Sequence, residues 1–140
     1  MRHMVIVAVA AALAASCGGG STPPRPSVPE TRTFMGTARA LGPASCTSDS
    51  HDFIAADGPI SVTLTQSTGG IGMAAQVCAG GIDNNDCSIN LMPIAVGQTV
   101  SGTRKGGSQQ NLKLNPPNCG GGGPTPPGPV DYTVTVTFLR

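Results

Sequence analysis

Three groups of residues in this chain have the types and spacing to do chemistry. Five cysteines stand at Cys17, Cys46, Cys78, Cys87 and Cys119. The run Ser48-Asp49-Ser50-His51-Asp52 sets hydroxyls, an imidazole and two carboxylates side by side. The run Asp83-Asn84-Asn85-Asp86 offers carboxylate and amide oxygens, the donors that a hard cation such as calcium collects.

The first polar run lacks the arrangement that hydrolysis needs. A nucleophile, its base and the orienting acid are brought together in space, not supplied by consecutive residues. On a strand, Ser50 and Asp52 point to the face opposite His51. Asp and Ser here also satisfy local backbone N–H groups as a polar turn. The second run lacks the Asp-x-Asp-x-Asp-Gly spacing and distal Glu of an EF-hand loop. Asp and Asn accept left-handed turn geometry, so a plain turn competes with calcium at Asp83, Asn84, Asn85 and Asp86. Asp49, Asp52 and Asp57 are the extra carboxylates that would join a calcium ion if loops converge. No other cofactor is expected, and no catalytic constellation is evident. The chain therefore reads as something other than an enzyme.

The cysteines separate into one and four. Cys17 follows basic Arg2, an apolar run of twelve residues from Met4 to Ala15, and Ser16. A membrane-spanning helix needs about 20 apolar residues, so this run reads as an export signal. Leu13-Ala14-Ala15-Ser16-Cys17 resembles the lipobox of bacterial lipoproteins, with Leu13 one position further from the cysteine than is usual there. The resemblance implies that Cys17 is diacylated and becomes the mature N-terminus. Two acyl chains give stable membrane anchoring. Gly18 stands where an Asp would resemble an inner-membrane retention signal, which implies the outer membrane or cell surface. The alternative is ordinary secretion with cleavage after Ala14 or Ser16. That would leave an odd thiol in an oxidising compartment, whereas lipidation leaves an even four.

Those four allow three pairings. Cys78 and Cys87 bracket a turn-rich stretch that lets the chain return, which favours a bridge between them. Cys46 and Cys119 then pair over a long separation. A four-thiolate zinc site would want CxxC knuckles, and none occurs.

Composition sets the frame that positions these groups. Residues 1–16 read as the signal peptide, 17–30 as the lipidated cysteine and a Gly/Ser/Pro linker, and 31–140 as one domain. Prolines make such a linker an extended, semi-rigid spacer. The domain carries six bases and six acids, with no basic run beyond Arg104-Lys105. Nucleic-acid binding needs a positive stripe, which is lacking. With no Trp, one Tyr and three Phe, the core is expected to be aliphatic. Sugar sites usually stack on aromatic rings, so carbohydrate binding loses support.

Apolar residues repeat with period two. Ile60-Ser61-Val62-Thr63-Leu64-Thr65 and Tyr132-Thr133-Val134-Thr135-Val136-Thr137-Phe138 alternate as half-buried strands do. Fainter strands are expected over 33–40, 51–55, 71–78, 87–91, 98–104 and 111–115, with Gly, Pro, Asp and Asn punctuators between. About eight short strands predict a single antiparallel β-sandwich or jelly roll, stabilised by disulfides. A Gly/Pro-rich loop is expected over 115–129.

The succession of Phe34 and Gly36, His51-Asp52-Phe53, Gly58-Pro59-Ile60-Ser61-Val62 and Asp131-Tyr132-Thr133-Val134-Thr135-Val136 resembles the bacterial pre-peptidase C-terminal domain. It also resembles the single sandwich domains of envelope lipoproteins. The resemblance implies a small β-sandwich that serves as an accessory to secreted enzymes, at times binding calcium or matrix proteins. The four cysteines and the lack of an attached peptidase depart from that pattern.

Two functions are open at this point. One is a non-catalytic module, anchored to the membrane by lipid and contacting an envelope protein partner. The other is a calcium-dependent accessory domain or a small hydrolase built on His51, Asp49 and Asp52.

Overall fold

The computed structural model describes residues 27–42, 45–80, 86–117, 119 and 128–140. Nine strands form among them, all paired antiparallel: β1 (Pro29–Gly42), β2 (Ser45–Ser48), β3 (Ser50–Ile54), β4 (Pro59–Ser67), β5 (Met73–Ala79), β6 (Cys87–Ile94), β7 (Thr99–Thr103), β8 (Gln109–Asn115) and β9 (Val130–Leu139). They make a five-stranded sheet in the order β2-β1-β9-β4-β7 and a four-stranded sheet in the order β3-β8-β5-β6. The all-β sandwich expected from the alternation is present, with one strand more than anticipated.

The additional strand is β2. Ser45-Cys46-Thr47-Ser48 has no large apolar residue to mark a face, and it forms because β1 presents a free edge to pair with. β1 also starts earlier than the domain start expected at residue 31. Pro29 and Glu30 pair with Leu139 and Phe138 of β9, and Glu30 forms ion pairs with Arg32 and Arg140. Val28 and Arg140 exchange two backbone hydrogen bonds, so β1 begins and β9 ends together at what we term the lower end.

Alternation decides which side chains are buried. On β9, Tyr132, Val134, Val136 and Phe138 point inward and are at most 3% exposed. Thr133, Thr135 and Thr137 point out and are more accessible. β4 repeats the scheme, with Ile60, Val62 and Leu64 fully buried. On the outer face hydroxyls bond across strands: Thr31 to Thr137 at 3.0 Å, Ser61 to Ser101 at 2.8 Å and Thr63 to Thr99 at 2.7 Å. β-branched residues have restricted side-chain torsions and suit a pleated surface, which is why threonine covers this one.

The core is aliphatic in bulk, and the few aromatic residues are concentrated within it. Tyr132, His51, Phe34, Phe53 and Phe138 form a continuous file of rings, with successive centroids 6.1, 5.0, 6.4 and 4.8 Å apart. The file draws on β1 and β9 of one sheet and β3 of the other, so it ties the two layers together. The Arg32 guanidinium lies 5.6 Å from the Phe138 ring centre and closes its lower end. Gln110 is a buried polar residue whose amide nitrogen donates to the carbonyls of Lys105 and Gly107. Its oxygen accepts from Ser88, so the amide holds the β7–β8 turn instead of standing unsatisfied.

Cys46 is bridged to Cys119, and Cys78 to Cys87. The first bridge joins β2 to the chain just beyond β8 at the upper end. The second joins the end of β5 to the start of β6 at the lower end. Among the described residues no helix is long and apolar enough to cross a membrane.

Candidate functional site

The polar run Ser48–Asp52 lies where the chain passes from one sheet to the other. β2 ends at Ser48 in the larger sheet and β3 begins at Ser50 in the smaller, with Asp49 as the single residue between. Asp49 clamps that crossing to β1: its N–H donates to the Thr37 carbonyl at 3.3 Å, and its Oδ2 accepts the Thr37 N–H at 2.8 Å. Alternation then sends His51 inward and Ser50 and Asp52 outward, as expected. The Asn111 amide on β8 donates to both Ser50 Oγ and Asp52 Oδ1.

Inside, His51 Nε2 lies 3.1 Å from the Tyr132 hydroxyl, and the His51 ring stacks on Phe34. The Tyr132 hydroxyl donates to the Asp49 carbonyl at 3.3 Å. A Cβ on Gly36 would come within 2.6 Å of the Tyr132 oxygen, so glycine makes room for the phenol there. Burial depresses the His51 pKa, against the opposing pull of Asp49 and Asp52. Burial, helped by the negative charge of Asp49, pushes the Tyr132 phenol above its ordinary range. The imidazole is thus paired with a phenol that is held protonated. Among the described residues the Ser48 hydroxyl is buried with no hydrogen-bond partner, so it is not activated by His51.

The carboxylates expected to converge on a cation are spread apart. Asp49 is held at Thr37, Asp52 at Asn111, and Asp57 pairs with Arg104 near the lower end. Asp86 accepts the Ala79 N–H through its carbonyl at 3.0 Å. Asp83, Asn84 and Asn85 lie outside the described residues, as do Cys17, the signal segment and most of the 115–129 loop. Among the described residues no group of three or more His, Cys, Asp or Glu side chains is placed to hold a metal ion.

A different feature stands at the upper end, on the outer face of the larger sheet. A cleft of about 650 Å³ is walled by Met35 and Thr37 of β1, Asp131 and Thr133 of β9, Gln66 near the end of β4 and Thr68 just beyond it, with Tyr132 beneath it. Small-molecule sites fall in this size range. A register shift between Leu64 and Gln66 lets the chain turn over the sheet at this point. The turn is fixed to β9, since Thr68 Oγ1 donates to the Asp131 carbonyl and accepts the Asp131 N–H at 3.1 Å. Thr37 Oγ1 donates to Asp131 Oδ1 at 2.6 Å, which fixes the carboxylate at the cleft wall. None of this was anticipated from sequence. The one local sign was Thr68-Gly69-Gly70, where two successive glycines adopt positive φ.

No protein-family model, no curated protein and no solved structure matches this chain.

Proposed function

We propose that the chain is a lipid-anchored protein of the bacterial envelope, and that its β-sandwich is a non-catalytic binding module. The observation that carries the binding part is placement. The cleft lies at the upper end, whereas β1 begins at the lower end, eight residues of β1 away from Thr37. At about 3.4 Å per residue that is roughly 27 Å. A tether at Cys17 would enter at the lower end and leave the cleft facing outward. The proline-bearing segment before Pro29 would add reach between lipid and domain. Engagement of His51 by Tyr132 and Phe34, with no serine bonded to it among the described residues, favours binding over hydrolysis. The accessory role of the pre-peptidase C-terminal domain is compatible with this reading.

Metabolic labelling with a radioactive fatty acid tests the anchor. The wild-type chain is expected to take up label and partition into detergent, and Cys17→Ser to do neither. Absence of label on the wild type would overturn the lipoprotein assignment. For the module, measurable hydrolytic turnover that is abolished by His51→Ala would overturn the non-catalytic assignment.

A further inference from the structure

We infer that the upper cleft binds an alkylammonium group, the chemistry shared by free primary amines and lysine side chains. This inference rests on the binding-module reading and names its ligand class. Asp131 stands in the cleft wall and, among the described residues, forms no ion pair. The carboxylate is already held in place, because Thr37 donates to Oδ1 and Thr68 grips the Asp131 backbone on both sides. A fixed acceptor loses less freedom when a ligand arrives.

The remaining wall groups select the kind of cation. With Oδ1 committed to Thr37, a guanidinium fork finds only part of the carboxylate free, and a two-point contact is what gives arginine its advantage. An ammonium is a compact charge with three donors that need no planar partner. It can meet Asp131 and keep donors for the other polar residues of the wall, which include Thr133 and Gln66. Across from these, Met35 is 74% exposed, the most accessible of the large apolar side chains described. A flexible thioether beside the carboxylate provides an apolar surface for an alkyl stem. A charged wall and an apolar wall in one cleft match a ligand with a cationic head and a hydrocarbon body. A divalent metal fits less well, since it wants several oxygen anions and the cleft holds one carboxylate.

Amide-shift mapping and titration on the full chain in detergent test the inference. The probes are Nα-acetyl-lysine amide, n-butylammonium and the neutral Nα-acetyl-norleucine amide. Both cations are expected to shift the amides of Thr37, Gln66 to Gly69 and Asp131 to Thr133, and the neutral probe to leave them still. Stronger binding of the lysine derivative than of butylammonium would identify a peptide source, and the reverse a free amine. Asp131→Asn keeps an acceptor for Thr37 and is expected to weaken both cations by at least about tenfold. Thr133→Lys, which places an ammonium in the cleft, is expected to block them while leaving the remaining amides unchanged. Equal binding of the neutral probe at the same amides, or unaltered binding by Asp131→Asn, would overturn the cation inference and leave the module standing. No response of these amides to any of the three probes would overturn the alkylammonium inference, while the module reading would still be decided by the turnover measurement on His51→Ala.

Discussion

A histidine inside a small β-sandwich titrates against its own burial. For His51 the depressed pKa means that the folded state prefers the neutral ring more than the unfolded chain does. Between the folded-state pKa and the unfolded value near 6.5, the unfolded chain binds more protons. Its contribution to stability is therefore complete above about pH 6.5 and is lost as pH falls through the lower, folded value. We expect the melting temperature to fall with acidification below about pH 6.5, and more steeply in the wild type than in His51→Phe, which keeps the stacking on Phe34. Melting curves at successive pH values decide this. Identical slopes would show that carboxylates alone govern the acid limb. Why His51 is held neutral was only half legible from sequence. Its inward orientation followed from alternation, but its partner Tyr132 is 81 residues away. That contact exists only because β3 of one sheet faces β9 of the other.

Strands differ in how openly they declare themselves. β4 and β9 were plain in the sequence because each carries at least three apolar residues alternating with hydroxyls, and both sit centrally in their sheet. β2 has no such pattern and depends on a neighbour, so its pairing with β1 could not be read locally. The upper cleft was hidden for a related reason, since its walls come from three strands and a register shift. A paired substitution on β4 tests the division of labour between faces. Leu64 is fully buried, and Leu64→Ala should cost about 2–5 kcal/mol by removing packed volume. Thr63 shares only a cross-strand hydroxyl contact, and Thr63→Ala should cost about 0.2–1 kcal/mol. Denaturant midpoints measure both. Comparable losses would mean that the threonine face contributes more than cross-strand pairing supplies.

At the scale of the whole molecule, the two disulfides brace opposite ends across very different lengths of chain. Cys46–Cys119 spans 73 residues and Cys78–Cys87 spans 9. In the loop-entropy account, the longer closure restricts the unfolded chain by about 4.4 kcal/mol and the shorter by about 2.6 kcal/mol. The Cys46→Ser/Cys119→Ser variant should therefore unfold at lower denaturant than Cys78→Ser/Cys87→Ser. The reverse order would place the decisive restraint in the short hairpin instead. The register of β1 against β9 has a mechanical consequence as well. Ten residue pairs, from Pro29 with Leu139 to Ala38 with Val130, join these strands in unbroken succession. A load applied between the lower terminus and a ligand seated at Asp131 runs along the strand axes, at right angles to the hydrogen bonds that bridge them. Under such a pull the ladder cannot unzip from one end, because its rungs share the tension and must rupture in shear together. A domain moored at its lower end and grasped at the other would hold its shape under flow.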